Sequence, residues 1–253
     1  MKVNGINRNS GCRVVVAVLG LVLWSDATLA LDRWEEITQA GLKLQQQGKI
    51  TEAEHNLREA LSEAEKSSSQ DVSRLAKSFH NLGALWYDQG KYPEAELLYQ
   101  KALAVLEKRP GFNDRDLAGI LNNLALLCTK QARLTEAEPL YLRSMAIVER
   151  ILGPGHCDVA TGLNNLAALY LQQGRHREAE PLCRRSMAIL QANAGNEQLE
   201  MSAALNNLAT LLVDLGRYDE GERLLRRTLE LREHQLGPNH SSVATALNNL
   251  AGA

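Results

Sequence analysis

The chain repeats itself every 42 residues. Asn81, Asn123, Asn165, Asn207 and Asn249 keep that interval, and Leu-Asn-Asn-Leu-Ala recurs unchanged at 121–125, 163–167, 205–209 and 247–251. A unit of this size cannot bury an apolar face alone, so a fixed period of this length implies a stack of units in which each packs on its neighbours. The expectation is a quasi-linear solenoid instead of one globular core, and binding along an extended surface instead of chemistry in a single cleft.

One unit shows what is being stacked. Across residues 117–158, Leu117, Ile120, Leu121, Leu124, Ala125 and Cys128 recur at spacings of three and four, the stripe of an amphipathic helix. The stripe breaks over 130–134 and a second follows through Ala137, Leu140, Tyr141, Met145 and Val148, ending near Leu152-Gly153-Pro154. Gly and Pro there are stop signals, so each unit reads as an antiparallel pair, helix A then helix B. Small residues mark where the pair closes: Gly41, Gly83, Ala125, Ala167, Ala209 and Ala251 share one phase of helix A, and Ala53, Ala95, Ala137, Ala179 and Gly221 one phase of helix B. Missing bulk at matching places lets two helix axes approach at the close end of the usual range. Gly48, Gly90, Gly174 and Gly216 occupy the intervening turn, with Ala132 as the exception. Thr51 with Glu54, and Thr135 with Glu138, predict capping boxes opening helix B. Pro139 and Pro181 are expected within about the first turn, where amides lack a helical partner anyway.

These positions resemble the tetratricopeptide repeat family, through Asn81-Leu82-Gly83, Trp86, Gly90, Tyr92, Ala95, Tyr99 and Ala102. The longer period, with Leu-Asn-Asn-Leu-Ala, Glu-Ala-Glu-Pro-Leu-Tyr and Leu-Gly-Pro-x-His, is similar to the kinesin light chain type. The resemblance covers roughly 34–253 and is weakest in the first unit, where Thr38-Gln39-Ala40 replaces Asn-Asn-Leu. It implies an all-α, right-handed superhelix over 31–253, with five helix pairs and a partial sixth, whose concave side is lined mainly by helix A. Carried over position by position, the groove would include Asn81, Asn122, Asn123, Asn164, Asn165, Asn206 and Asn207, with Tyr87, Leu126 and Lys130 further along. A carboxamide offers both a donor and an acceptor and so can pair with the main chain of an extended peptide. One Asn of each pair is assigned to stacking and one to the groove.

The first thirty residues differ in kind. Lys2, Arg8 and Arg13 precede the apolar run from Val14 to Trp24, and small residues lead to Ala30. That is the pattern of a secretory signal peptide cut after Ala30, and the run is too short to span a bilayer as a helix. It predicts a periplasmic or secreted location, with no membrane association after cleavage. Three cysteines lie beyond the cut, an odd number that argues against a disulfide framework. Cys128 and Cys183 fall on buried-type phases and Cys157 in a connecting turn.

A net charge of −2 and only 4% aromatic residues give no footing for nucleic acid. No phosphate-binding glycine loop or activated nucleophile is recognisable. His156, Cys157 and Asp158 suggest a metal site, but His240 holds the same phase as His156, so turn and cap roles are expected and no metal or cofactor. The pairs Arg184-Arg185 and Arg226-Arg227 are expected on a solvated outer face. The sequence thus predicts a non-catalytic scaffold that holds an extended or helical segment of a partner protein. The alternative is an oligomerising scaffold that associates through its ends, since a lone helix A over 241–253 would leave Val243, Leu247 and Leu250 uncovered.

Overall fold

A computed structural model describes residues 25–66, 72–108, 114–193 and 198–252. Among the described residues there are eleven helices and no strand: α1 (Ser25–Gln46), α2 (Ile50–Lys66), α3 (Val72–Asp88), α4 (Tyr92–Glu107), α5 (Asp114–Lys130), α6 (Leu134–Leu152), α7 (Cys157–Gln172), α8 (His176–Ala192), α9 (Gln198–Asp214), α10 (Tyr218–Leu236) and α11 (Ser241–Ala251). The basic start and apolar run read as a signal peptide lie outside the described residues. No described helix is long and apolar enough to cross a membrane.

Each odd helix packs along the even helix that follows it, and each even helix also packs on the next odd one. The odd helices from α1 to α9 touch one another directly as well, whereas no two even helices do so to a comparable extent among the described residues. Elements in contact across successive units lie on the shorter path of the curve. The odd helices therefore form the concave wall and the even helices the convex one.

The small-residue phases sit where the helices of a pair cross. Ala53, Ala95, Ala137 and Ala179 are fully buried in the even helices, as are Ala125, Ala167 and Ala209 in the odd ones. At Gly83 a Cβ would lie 2.8 Å from the Tyr99 ring, so the glycine makes room for that ring. Buried hydroxyls tie the two helices of a unit at the same level. Ser144 donates to the Ala118 carbonyl at 2.8 Å and Ser186 to that of Ala160 at 2.9 Å. Cys128 and Cys183 are buried core residues without a disulfide, and burial pushes the Cys183 thiol up to about 11.

Three details differ from the sequence expectations. The capping boxes do not form: α6 has Arg133 at its N-cap without a side-chain cap, so Thr135 already lies inside the helix. The Glu138 carboxylate instead accepts from Arg175 and from the Tyr170 hydroxyl, and Glu54 accepts from Arg58. Pro139 and Pro181 each sit six residues into their helices, beyond the orphan amides, on exposed positions. Val243 is buried, although Leu247 remains about half exposed.

The turn between paired helices needs a left-handed residue. Ala132 adopts φ 59°, like the glycines at its phase in the other units, and the Arg133 amide reaches back to the Cys128 carbonyl at 2.8 Å. A Cβ in this conformation costs roughly 1–2 kcal/mol, partly offset by the greater chain entropy that glycine loses on folding. Ala132→Gly should therefore stabilise the protein by about 0.5–1 kcal/mol, checked by equilibrium urea unfolding; a loss of stability would contradict this reading of the turn.

Candidate functional site: the wall of odd helices

The concave wall is organised by side-chain rungs that join residues 43 apart, one more than the sequence period. Asn165 Nδ2 donates to Asn122 Oδ1 at 2.9 Å, Asn207 Nδ2 to Asn164 Oδ1 at 2.9 Å, and Asn249 Nδ2 to Asn206 Oδ1 at 2.8 Å. In the first such rung His80 takes the place of the earlier Asn, and Asn123 Nδ2 lies 2.7 Å from His80 Nε2. The second carboxamide of each unit thus bonds to the first polar group of the unit before it. Other pairs keep the same offset: Gln45 donates to Asp88 at 2.7 Å, Ser73 to Asp116 at 3.0 Å and Arg115 to Asp158 at 3.1 Å.

Both Asn of a pair therefore take part in stacking, which revises the division of one to stacking and one to the groove. Asn164 is buried and presents no face to a ligand; it also accepts from Asn207 through its main-chain carbonyl at 3.0 Å. Asn81, Asn122, Asn123, Asn165, Asn206 and Asn207 are half-buried, as are Leu126 and Tyr87, while Lys130 is exposed at the end of α5. The Tyr87 ring packs 5.5 Å from that of Tyr92, and burial pushes its hydroxyl up to about 12. In α5, Arg115, Gly119, Asn122, Leu126 and Lys130 follow one another at helical spacing along the accessible face, and Asp158, Thr161, Asn165, Ala168 and Gln172 do so in α7.

A second set of ties runs along the edge where the paired helices turn. Arg133 bonds to Glu96 at 2.7 Å and Arg175 to Glu138 at 2.7 Å. The Arg175 guanidinium also lies 4.0 Å from the centre of the Tyr170 ring, and its hydrogen bond holds the Glu138 carboxyl below the ordinary carboxylate value. At the next junction Arg217, the N-cap of α10, pairs with Glu220 in the first turn of that helix, and Glu180 is taken by Arg184. The paired arginines of α8 and α10 are exposed and each bonds to a nearby glutamate, which spends them as surface ion pairs.

His156 and His240 are N-caps. Each accepts through Nδ1 from an amide two residues on, of Asp158 and Ser242 respectively, at 3.1 Å. No group of three or more His, Cys, Asp or Glu that could hold a metal ion occurs among the described residues.

Stacked antiparallel helix pairs with a continuous inner wall define a superhelical repeat scaffold, a class whose extended concave surface holds other proteins. The chain belongs to the tetratricopeptide repeat family, which matches residues 31–108, 116–192 and 200–253. Among solved structures it is similar to BtubC (BKLC) from P. vanneervenii, at 25% identity and a TM-score of 0.73 over 85% of each chain. It is also similar to a kinesin light chain-like protein with nearly identical TPR-like repeats from Podosopora anserina, at 21% identity and a TM-score of 0.62 over 80% of this chain and 96% of that one. PilF of Pseudomonas aeruginosa shares the fold at 20% identity and a TM-score of 0.59, over 88% of this chain and 89% of that one. No curated protein sequence matches the chain at a significant level. The right-handed superhelix implied by the repeat is thus the fold of the family, and the family is in general a non-catalytic one.

The His80 rung titrates. Burial holds the His80 imidazole below its ordinary value near 6.5. The unfolded chain then takes up the proton first as pH falls, so the neutral ring's contribution is complete above about 6.5 and is lost below it. A neutral Nε2 can accept from Asn123; a protonated one cannot. Thermal melts of the native chain and of His80→Asn should therefore diverge between pH 7.5 and pH 5, with the native chain losing more. Parallel behaviour of the two would contradict the rung.

Proposed function

We propose that the wall of odd helices holds an extended segment of a partner protein, with the carboxamide rungs contacting its main chain and the residues between rungs reading its side chains. The observation that supports this most is the chemistry left over by the two rungs whose carboxamides stay accessible, Asn122–Asn165 and Asn206–Asn249. When Asn165 donates to Asn122, the Oδ1 of Asn165 keeps its acceptor capacity, and the Asn122 amide, which gives one N–H to Asn123 at 3.4 Å, keeps its second, both side chains being held by the bond already made. Such a pair matches the N–H and C=O of a peptide, and its fixed geometry lowers the ordering cost of binding. Asn249 and Asn206 repeat the arrangement. Leu126 and Lys130 lie beside the rungs, where they would add side-chain contacts.

The export reading accompanies this proposal: the basic start and apolar run would take the chain out of the cytoplasm, placing its partner in a periplasmic or extracellular space. Processing after Ala30, read by N-terminal sequencing of the chain expressed in its own compartment, tests that part.

Since Asn123, Asn165 and Asn207 also tie the units together, replacing them would change stability as well as binding. A cleaner test blocks the groove from a position outside the ladder. Affinity capture with the whole chain and mapping of the retained segment supplies the ligand. Ala168→Arg, which adds bulk at a half-exposed position of α7, should then weaken that segment by roughly tenfold or more. Arg226→Ala on the convex face should leave it unchanged. Equal affinity for the native chain and Ala168→Arg would remove the groove from the account.

A further inference from the structure

A glycine inside a helix is less favourable than alanine by a factor of about four to five in the folding constant. Packing explains some of those found here. A Cβ at Gly41 would lie 3.0 Å from Leu57, and one at Gly221 would lie 2.7 Å from Val213. Two others have no such reason. At Gly119 an added Cβ meets nothing within 4 Å, and at Gly162 it meets only Met145, at an ordinary 3.7 Å. Neither has a positive φ.

The two glycines are related by the same offset as the rungs, so they face each other across the junction of α5 and α7. On one side of them is the Arg115–Asp158 pair and on the other the Asn165–Asn122 bond. Between these rungs a cleft of about 250 Å³ opens, with Ala118, Met145 and Val148 among its lining. At the equivalent points of the other junctions stand Glu35 and Ser78, Lys77 and Ile120, Thr161 and Ala204, and Ala203 and Ala246, all of which carry side chains. The notch is therefore specific to one junction, near the middle of the wall.

We infer that this notch is a side-chain pocket that receives one large apolar residue of the extended segment held in the groove, an inference that rests on the groove reading above. Its volume lies below the roughly 300–1,000 Å³ of small-molecule sites, which suits a single side chain better than a whole ligand. Its lining is mainly apolar, and the charges at its rim, Arg115 and Asp158, already neutralise each other. A charged residue entering it would lose water without gaining a counter-charge. An apolar one releases water while its flanking main chain passes between two polar rungs.

Short random peptides displayed on phage, selected in parallel on the native whole chain and on Gly119→Leu, test this. The native chain is expected to select peptides sharing one large apolar residue. Gly119→Leu should weaken such a peptide by roughly tenfold or more, and replacing that apolar residue with Ala should remove the difference between the two proteins. Gly119→Ala and Gly162→Ala should each raise Tm by roughly 2–4 °C, because the space serves no packing role. A fall in Tm would mark the glycines as packing residues and overturn the inference. Selected peptides without a shared apolar residue, or equal affinity for the native chain and Gly119→Leu, would overturn the pocket while Ala168→Arg still blocked the groove. Failure to select any peptide, or selected peptides indifferent to Ala168→Arg, would overturn the groove and the pocket together. Self-association of the native chain abolished by Gly119→Leu would make a second copy the occupant and overturn the proposal.

Discussion

A carboxamide bonded to a polar group 43 residues earlier recurs along the inner wall, and the geometry of that wall depends on it. Van der Waals packing brings the helices together through the small-residue phases, but apolar contacts are tolerant of sliding. A hydrogen bond between two carboxamides is not: a shift of one residue along either helix separates donor from acceptor. The offset of 43 against a period of 42 means that each odd helix is displaced by one residue relative to its predecessor at the level of contact. Repeated at every junction, this small displacement contributes to the relative placement of successive units, from which a solenoid's curvature and twist arise.

The same constraint divides the labour between rungs and the spaces between them. A rung fixes two side chains, and the accessible ones, Asn122–Asn165 and Asn206–Asn249, leave polar groups of the same kind at each junction. Between rungs the side chains vary from one junction to the next, from Lys77 opposite Ile120 to the facing glycines at 119 and 162. In the groove proposed above, uniform affinity and local selectivity would be carried by different phases of one helix. The outer ties, Arg133 to Glu96 and Arg175 to Glu138, stiffen the turn edge without reaching the inner wall.

Much of the fold was legible in the sequence because periodicity is a one-dimensional quantity. The stripe through Leu121, Leu124 and Cys128, the alanine phases and the Gly-Pro stops each depend on neighbours within a few residues, so helix pairs could be read directly. The offset of 43 could not, because it arises from how one rigid helix lies against another. That is why the Asn pairs were divided between stacking and groove, whereas both members join the ladder and Asn164 is buried. The capping boxes expected from Thr51 and Thr135 are absent for a related reason. Arg133, set by the left-handed turn at Ala132, becomes the N-cap, and Glu138 is drawn to the charge of Arg175 in the following unit. The notch is not legible in the sequence because Gly119 and Gly162 occupy different phases of the repeat and become neighbours only through the offset.

A double-mutant cycle on Asn122 and Asn165 tests the ladder most directly. Urea unfolding of the native chain, Asn122→Ala, Asn165→Ala and the double variant isolates the energy that belongs to the pair. The account predicts a coupling of about 0.5–1.5 kcal/mol, the net worth of a hydrogen bond, with the second substitution costing less once the first has been made. Strictly additive losses would show that the two carboxamides do not sense each other, and would contradict the ladder as the element that sets the inner wall.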